Sequence, residues 1–196
     1  RSFSVWARAR TDVSRGARAE KAIRAALRSL PPGMQIETHL RLADALEAAG
    51  QHDACMQSLD AAMTLLRSND FLPDTLGPLV RDIARATARH GQGEVARALV
   101  HEMLRRYEDG PTAMVDIERA DYLRPLAEAL QDLGEPADAL RAWSMALDAG
   151  SVNPNARPRA EDLCLTCLSM VRSGAAPTAE MCKRMADIQQ GLQSPW

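Results

Sequence analysis

The chain has 196 residues, 46% hydrophobic but only 4% aromatic, with a formal net charge of −2. That charge gives no electrostatic attraction toward nucleic acid. No apolar run approaches the roughly 18 residues that a membrane-spanning helix needs.

Alanine and leucine carry the apolar load, a helix-forming composition. Lys21 and Lys183 are the only lysines among 24 basic residues, the usage expected of a GC-rich, bacterial genome. Cys55, Cys164, Cys167 and Cys182 all lie inside apolar helical patterns. A small secreted disulfide scaffold is therefore excluded and a reducing, cytoplasmic setting is expected. A chain that opens on Arg1 instead of Met is expected to be part of a longer protein.

In chain order, a helical pattern from Phe3 to about Asp12, with Trp6 and Ala7, precedes a second over 17–32, "ARAEKAIRAALRSLPP". Then comes "LADALEAAGQHDACMQSLDAAM" (42–63), two alanine-rich helical patterns around Gly50. The same arrangement returns around Gly91, Gly134 and Gly174, spaced 41, 43 and 40 residues apart. Glycine just past a helix supplies the left-handed conformation that ends it.

Seven residues before these glycines stand Ala43, Ala84, Ala127 and Cys167; five after stand Cys55, Ala96, Ala139 and Ala179. Nine after stand Leu59, Val100, Trp143 and Lys183, and twelve after stand Ala62, Met103, Ala146 and Ala186. Small residues recur where two helices would cross closely, and large apolar ones where a gap must be filled. Turn residues at 67–74, 107–112 and 149–158 mark the seams. Pro73, Pro111, Pro154 and Pro158 suit helix starts or loops. The last helix, about Thr178 to Leu192, keeps Met181, Met185, Ile188 and Leu192 on one stripe, as a terminal cap would.

The expected fold is therefore all-α, a right-handed superhelical solenoid of about five antiparallel α-hairpins in one domain over 1–196. The approximate repeats are 1–32, 33–69, 70–110, 111–153 and 154–192. One hairpin cannot bury its own apolar face, so neighbours stack into a continuous core.

This pattern resembles the tetratricopeptide repeat. Leu42, Ala43, Leu46, Gly50, Cys55, Leu59 and Ala62 match that family's large and small positions, and the stretches around Gly91 and Gly134 match nearly as well. The spacing departs from the family's shorter period, and Lys183 stands where a large apolar residue is expected. A divergent helical-hairpin solenoid is the fitting description.

The resemblance implies a concave groove lined by Glu37, Leu40, Asp44, Glu47 and Ala48, then Pro78, Arg81, Arg85, Ala88 and Arg89, then Asp121, Arg124, Glu128, Gln131 and Asp132. Arg81, Arg85 and Arg89 recur every four residues and share a helix face. Two arrangements satisfy these charges. Arginine forks between the acidic Asp44, Glu47 and Glu128 hold a carboxylate or an acidic peptide of a partner. Alternatively, adjacent first helices pair them with each other, Arg85 with Asp44 or Glu128.

Motifs with chemical meaning do not survive their context. "HGQGEVA" (90–96) has dinucleotide-fingerprint spacing but follows a helix, not a strand. "CLTC" (164–167) has no second ligand pair and lies mid-helix, so its thiols are expected to be buried. "HEMLR" (101–105) carries Arg105 where a zinc-protease helix has its second histidine. His39, His52, His90 and His101 form no compact set in sequence.

No enzyme, cofactor or metal site is expected. The expected function is a protein–protein interaction module binding a peptide or domain in the groove. The alternative is a structural or self-associating spacer, a homo-oligomer, within a larger protein. No nucleic acid or membrane partner is expected.

Overall fold

A computed structural model describes residues 13–110, 114–153 and 155–192. The helical pattern expected over 3–12, with Trp6, lies outside the described residues.

The described chain is all helical: α1 (Val13–Leu27), α2 (Pro32–Ala48), α3 (His52–Ser68), α4 (Pro73–Arg89), α5 (Gly93–Asp109), α6 (Asp116–Asp132), α7 (Pro136–Ser151), α8 (Ala156–Arg172) and α9 (Ala179–Gln190). The seams are shorter than the sequence suggests. Ser68 and Gly150 remain helical, and Ala156 and Pro158 are already helical. No described helix is long and apolar enough to cross a membrane.

Glycine makes the same turn four times. Gly50, Gly91, Gly134 and Gly174 have φ of 73, 84, 80 and 65°. At the first, Gly50 N–H donates to Glu47 O and Gln51 N–H to Leu46 O, both at 2.9 Å. That paired closure is the Schellman motif, and it satisfies carbonyls a helix end otherwise orphans. The equivalent bonds recur after Gly91, Gly134 and Gly174. After the first three the next helix begins two residues on; after Gly174 it begins at Ala179, capped by Thr178 accepting from Met181 N–H at 3.1 Å.

The helices form two compact units, Arg1–Asp70 and Phe71–Trp196. In the first, α2 packs on α3. Leu42, Ala43 and Leu46 meet a core that includes Cys55, Leu59 and Ala62, all fully buried. Burial, with the Glu47 and Asp44 carboxylates beside it, pushes the Cys55 thiol up to about 11. Cys55 is thus a small core residue, not a reactive thiol.

Across the same pair, Ser58 Oγ donates to His39 O at 3.1 Å. His39 Nδ1 lies 3.1 Å from that hydroxyl and therefore donates to it. Burial, aided by the Arg24 charge, holds the His39 pKa below its ordinary value.

In the second unit, α6 touches α4, α5, α7 and α8. Leu123, Leu126, Ala127, Ala129 and Leu130 on it are fully buried. Tyr122 donates its hydroxyl to Met103 O of α5 at 2.8 Å. Its burial raises the phenol above its ordinary range.

The approach of α4 to α6 is close. A Cβ on Gly77 would stand 2.7 Å from Tyr122 O and 3.2 Å from Asp121 O. Pro125 sits inside α6 and lacks the N–H that would bond the Asp121 carbonyl.

The fourth glycine frame departs from the other three. Ala179, Lys183 and Ala186 are exposed, while Met181 is buried and Met185, Ile188 and Leu192 are half-buried. The longer connection after Gly174 changes the register, so the methionine stripe, not the small-residue positions, faces the unit.

Gly77→Ala should destabilise the chain by about 1–3 kcal/mol in urea denaturation, because a backbone carbonyl cannot yield as a side chain would. A neutral effect would contradict the close approach. His39 generates an acid sensitivity. Its folded pKa is depressed, so the unfolded state takes up the proton first. Stability is full above the unfolded value of 6.5 and falls as pH drops through it toward the folded value. Between about pH 7 and about pH 5, the wild type should lose more stability than His39→Gln, by at most about 1.4 kcal/mol per pH unit. Parallel pH profiles would refute this.

Candidate functional site

The groove expected from sequence falls on α2, α4 and α6. Asp44 and Glu47 lie exposed on α2 in the first unit, where Glu47 Oε2 stands 3.1 Å from His52 Nδ1. Arg81, Arg85 and Arg89 lie on α4, and Arg124 and Glu128 on α6, in the second.

Helical spacing puts Arg81 and Arg85 one turn apart, and both reach toward α6. Arg81 Nη1 donates to Glu128 Oε2 at 2.9 Å, and its Nε to Asp82 Oδ1 at 2.9 Å. Arg85 Nε donates to Asp132, with its Nη2 4.0 Å from Glu128. Both contacts join residues 47 apart, which is also the offset between the intrahelical Pro78 and Pro125. Burial disfavours the Arg81 charge, yet its hydrogen bonds to Asp82 and Glu128 outweigh this and lift its pKa above the ordinary arginine value.

A second tier continues to α8. Arg124, with a side chain only 8% exposed, donates to Asp121 and to Asp162 Oδ1, the latter at 3.1 Å. Glu128 Oε1 accepts from Ser169 Oγ at 2.8 Å, and Ser169 Oγ in turn accepts from Trp143 Nε1 at 2.9 Å. The single hydroxyl hydrogen of Ser169 thus goes to the carboxylate, and its lone pair takes the indole N–H. Asp162 fits because Gly150 of α7 has no Cβ, which would stand 2.8 Å from the Asp162 Cβ.

The structure thus joins Arg81 to Glu128 directly and seats Arg124 apart from them, on Asp121 and Asp162. Arg81 and Arg85 pair with α6 and Arg124 with α8, so these charges meet each other between helices, as the second of the two arrangements open from sequence has it. The partner of Arg85 is chiefly Asp132. Asp162, Ser169 and Trp143 were not candidates in sequence. They carry no motif: Trp143 meets Ser169 across 26 residues, Ser169 meets Glu128 across 41, and Asp162 meets Arg124 across 38.

The "CLTC" thiols correct another expectation. Cys164 is exposed and Cys167 half-buried, because the outer side of α8 also leaves Leu165, Leu168 and Val171 exposed. "HGQGEVA" is a turn: α4 precedes it, Gly91 closes that helix, and Gly93 opens α5. A cleft of about 590 Å³ between α7 and α9 has a mixed lining that includes Ser144, Met181, Lys183 and Asp187. Arg184 crosses it to Asp148 at 2.8 Å.

Comparison with protein-family models, with curated proteins and with solved structures gives no match for this chain.

Arg81→Glu would set a carboxylate against Glu128 and Asp82 and should destabilise the chain by about 1–3 kcal/mol, between the exposed and buried ion-pair limits. Adding Glu128→Arg should recover only part, since the Ser169 bond is then lost. A fully stable Arg81→Glu protein would show that the pair holds nothing.

Proposed function

We propose that the chain is a non-enzymatic protein–protein interaction module, a divergent helical-hairpin solenoid of tetratricopeptide type, that binds an amphipathic helical segment of a partner along its first-helix face. Four equivalent glycine turns support the repeat, as does the packing of α4 on α6 and of α6 on α8. The observation that carries the binding reading is the outer side of α8. Leu165, Leu168 and Val171 are 39, 45 and 74% exposed, at a spacing that makes one helical stripe.

Register supports this reading of the stripe. Leu168 stands six residues before Gly174, as Arg85 does before Gly91 and Glu128 before Gly134. Arg85 meets the next first helix at this place. On α8 the equivalent position is apolar, so its fitting occupant is a helix with an apolar stripe. The groove arginines play a supporting part in this reading, holding the face in shape.

A second reading has its own observation. Because Arg81, Arg85 and Arg124 are internally paired, the array also suits a structural spacer that associates with a second copy of itself. Leu168→Glu with Val171→Glu separates the two. Both residues are exposed, so helicity and melting temperature should stay near wild type. If the module binds another protein, the chain is monomeric at all concentrations and the double variant loses a stoichiometric partner that the wild type retains. If it self-associates, light scattering shows a mass that rises with concentration and falls to the monomer in the variant. A wild-type monomer whose partner capture is unchanged in the variant would overturn the α8 assignment.

A further inference from the structure

His101 meets a carboxylate that lies 34 residues away in sequence. It lies on α5, half-buried, with its Nε2 hydrogen-bonded to Glu135. Glu135 is the N-terminal cap residue of α7, yet its side chain makes no capping bond to that helix. Its carboxylate turns to His101 instead. Asp138, in the first turn of α7, completes a set in which an imidazole nitrogen and two carboxylate oxygens all lie within 4.8 Å of one another.

We propose that His101, Glu135 and Asp138 form a binding site for one divalent transition-metal ion, zinc foremost, joining α5 to the start of α7. The ligand chemistry suits this choice. One imidazole and two carboxylates favour a borderline cation over the all-oxygen shells of calcium or magnesium. Zinc bonds nitrogen and oxygen at about 2.0–2.2 Å, which sets ligand atoms about 3.4 Å apart in a tetrahedron. Side chains that are 26, 24 and 40% exposed can reach that spacing by small rotations. Three protein ligands leave a fourth position for water or for a partner's side chain.

The surrounding charges balance a dication. Arg97 Nε lies 3.7 Å from Glu135 Oε1, and Arg141 Nη2 lies 3.3 Å from Asp138 Oδ1. Each arginine also holds a second carboxylate, Arg97 on Glu94 and Arg141 on Glu108. A metal that takes Glu135 and Asp138 therefore leaves neither guanidinium without a partner. With the imidazole in the neutral form that ligation requires, four carboxylates face two guanidinium groups. The local excess of two negative charges matches one divalent ion.

The test is calorimetric titration of the full chain, first stripped with chelator, with zinc chloride alone. One zinc per chain is expected. His101→Ala should weaken binding roughly a hundredfold or more, since even outer partners of a metal ligand are worth tenfold to a hundredfold. Asp138→Asn, a half-exposed and conservative change, should weaken it as well with unaltered helicity, which decides the question if His101→Ala does not fold. A variant with Cys164, Cys167 and Cys182 all changed to Ser should bind zinc as the wild type does. No zinc bound by the wild type, or wild-type affinity in Asp138→Asn, or loss of binding in the cysteine variant, would each overturn the site.

Discussion

The close approach of α4 to α6 is the constraint on which the second unit depends. Gly77 lies against the Tyr122 and Asp121 backbone with no room for a Cβ. Glycine is unfavourable in a helix interior by roughly 1 kcal/mol relative to alanine, and here that cost admits a contact alanine would prevent. Once the two backbones meet, the register follows. Arg81 falls opposite Glu128, and Arg85 opposite Asp132, each 47 residues on. Gly150 repeats the device one layer further, where it makes space for Asp162.

The charged tiers follow from that register. An arginine near a helix–helix seam must keep its charge solvated or paired. Arg124, almost fully buried, has two carboxylates, and half-buried Arg81 has two as well. Glu128 ties the tiers together, because one oxygen takes Arg81 and the other takes Ser169, which holds the Trp143 indole. Such networks add little stability over a well-packed apolar seam, but breaking one partner leaves a charge exposed to a dry neighbourhood. Their effect is to make one register of α4, α6 and α8 better than a slipped one.

Where neighbours run out among the described residues, the chemistry changes. The position that carries Arg85 on α4 and Glu128 on α6 becomes Leu168 on α8, which is exposed, as is Val171 beside it. Elsewhere in the unit the links are polar: His101, Glu135, Arg97, Arg141 and Glu108 tie α5 to the start of α7. The apolar stripe is suited to a helix and the polar links to an ion. The two proposals rest on different residues and stand or fall separately.

Local order was legible in the sequence. The spacing of Gly50, Gly91, Gly134 and Gly174 marked four helix ends, and a left-handed turn residue announces itself because other residues pay steric strain there. Alanine at Ala43, Ala84 and Ala127 marked buried positions for a similar reason: only small side chains fit where helices cross. The last frame misled, because the extra residues between Gly174 and Ala179 shift the register that fixed offsets assume. What only the tertiary structure decided is which side chains meet across layers. Arg85 could have faced a ligand, Asp44, Glu128 or Asp132, and nothing local to α4 distinguishes them. His101 and Glu135 are 34 residues apart, one on α5 and the other at the N-terminal cap position of α7. Helix ends depend on neighbours in sequence, so sequence encodes them directly; ion pairs and ligand sets depend on the register between helices, and that is set by packing.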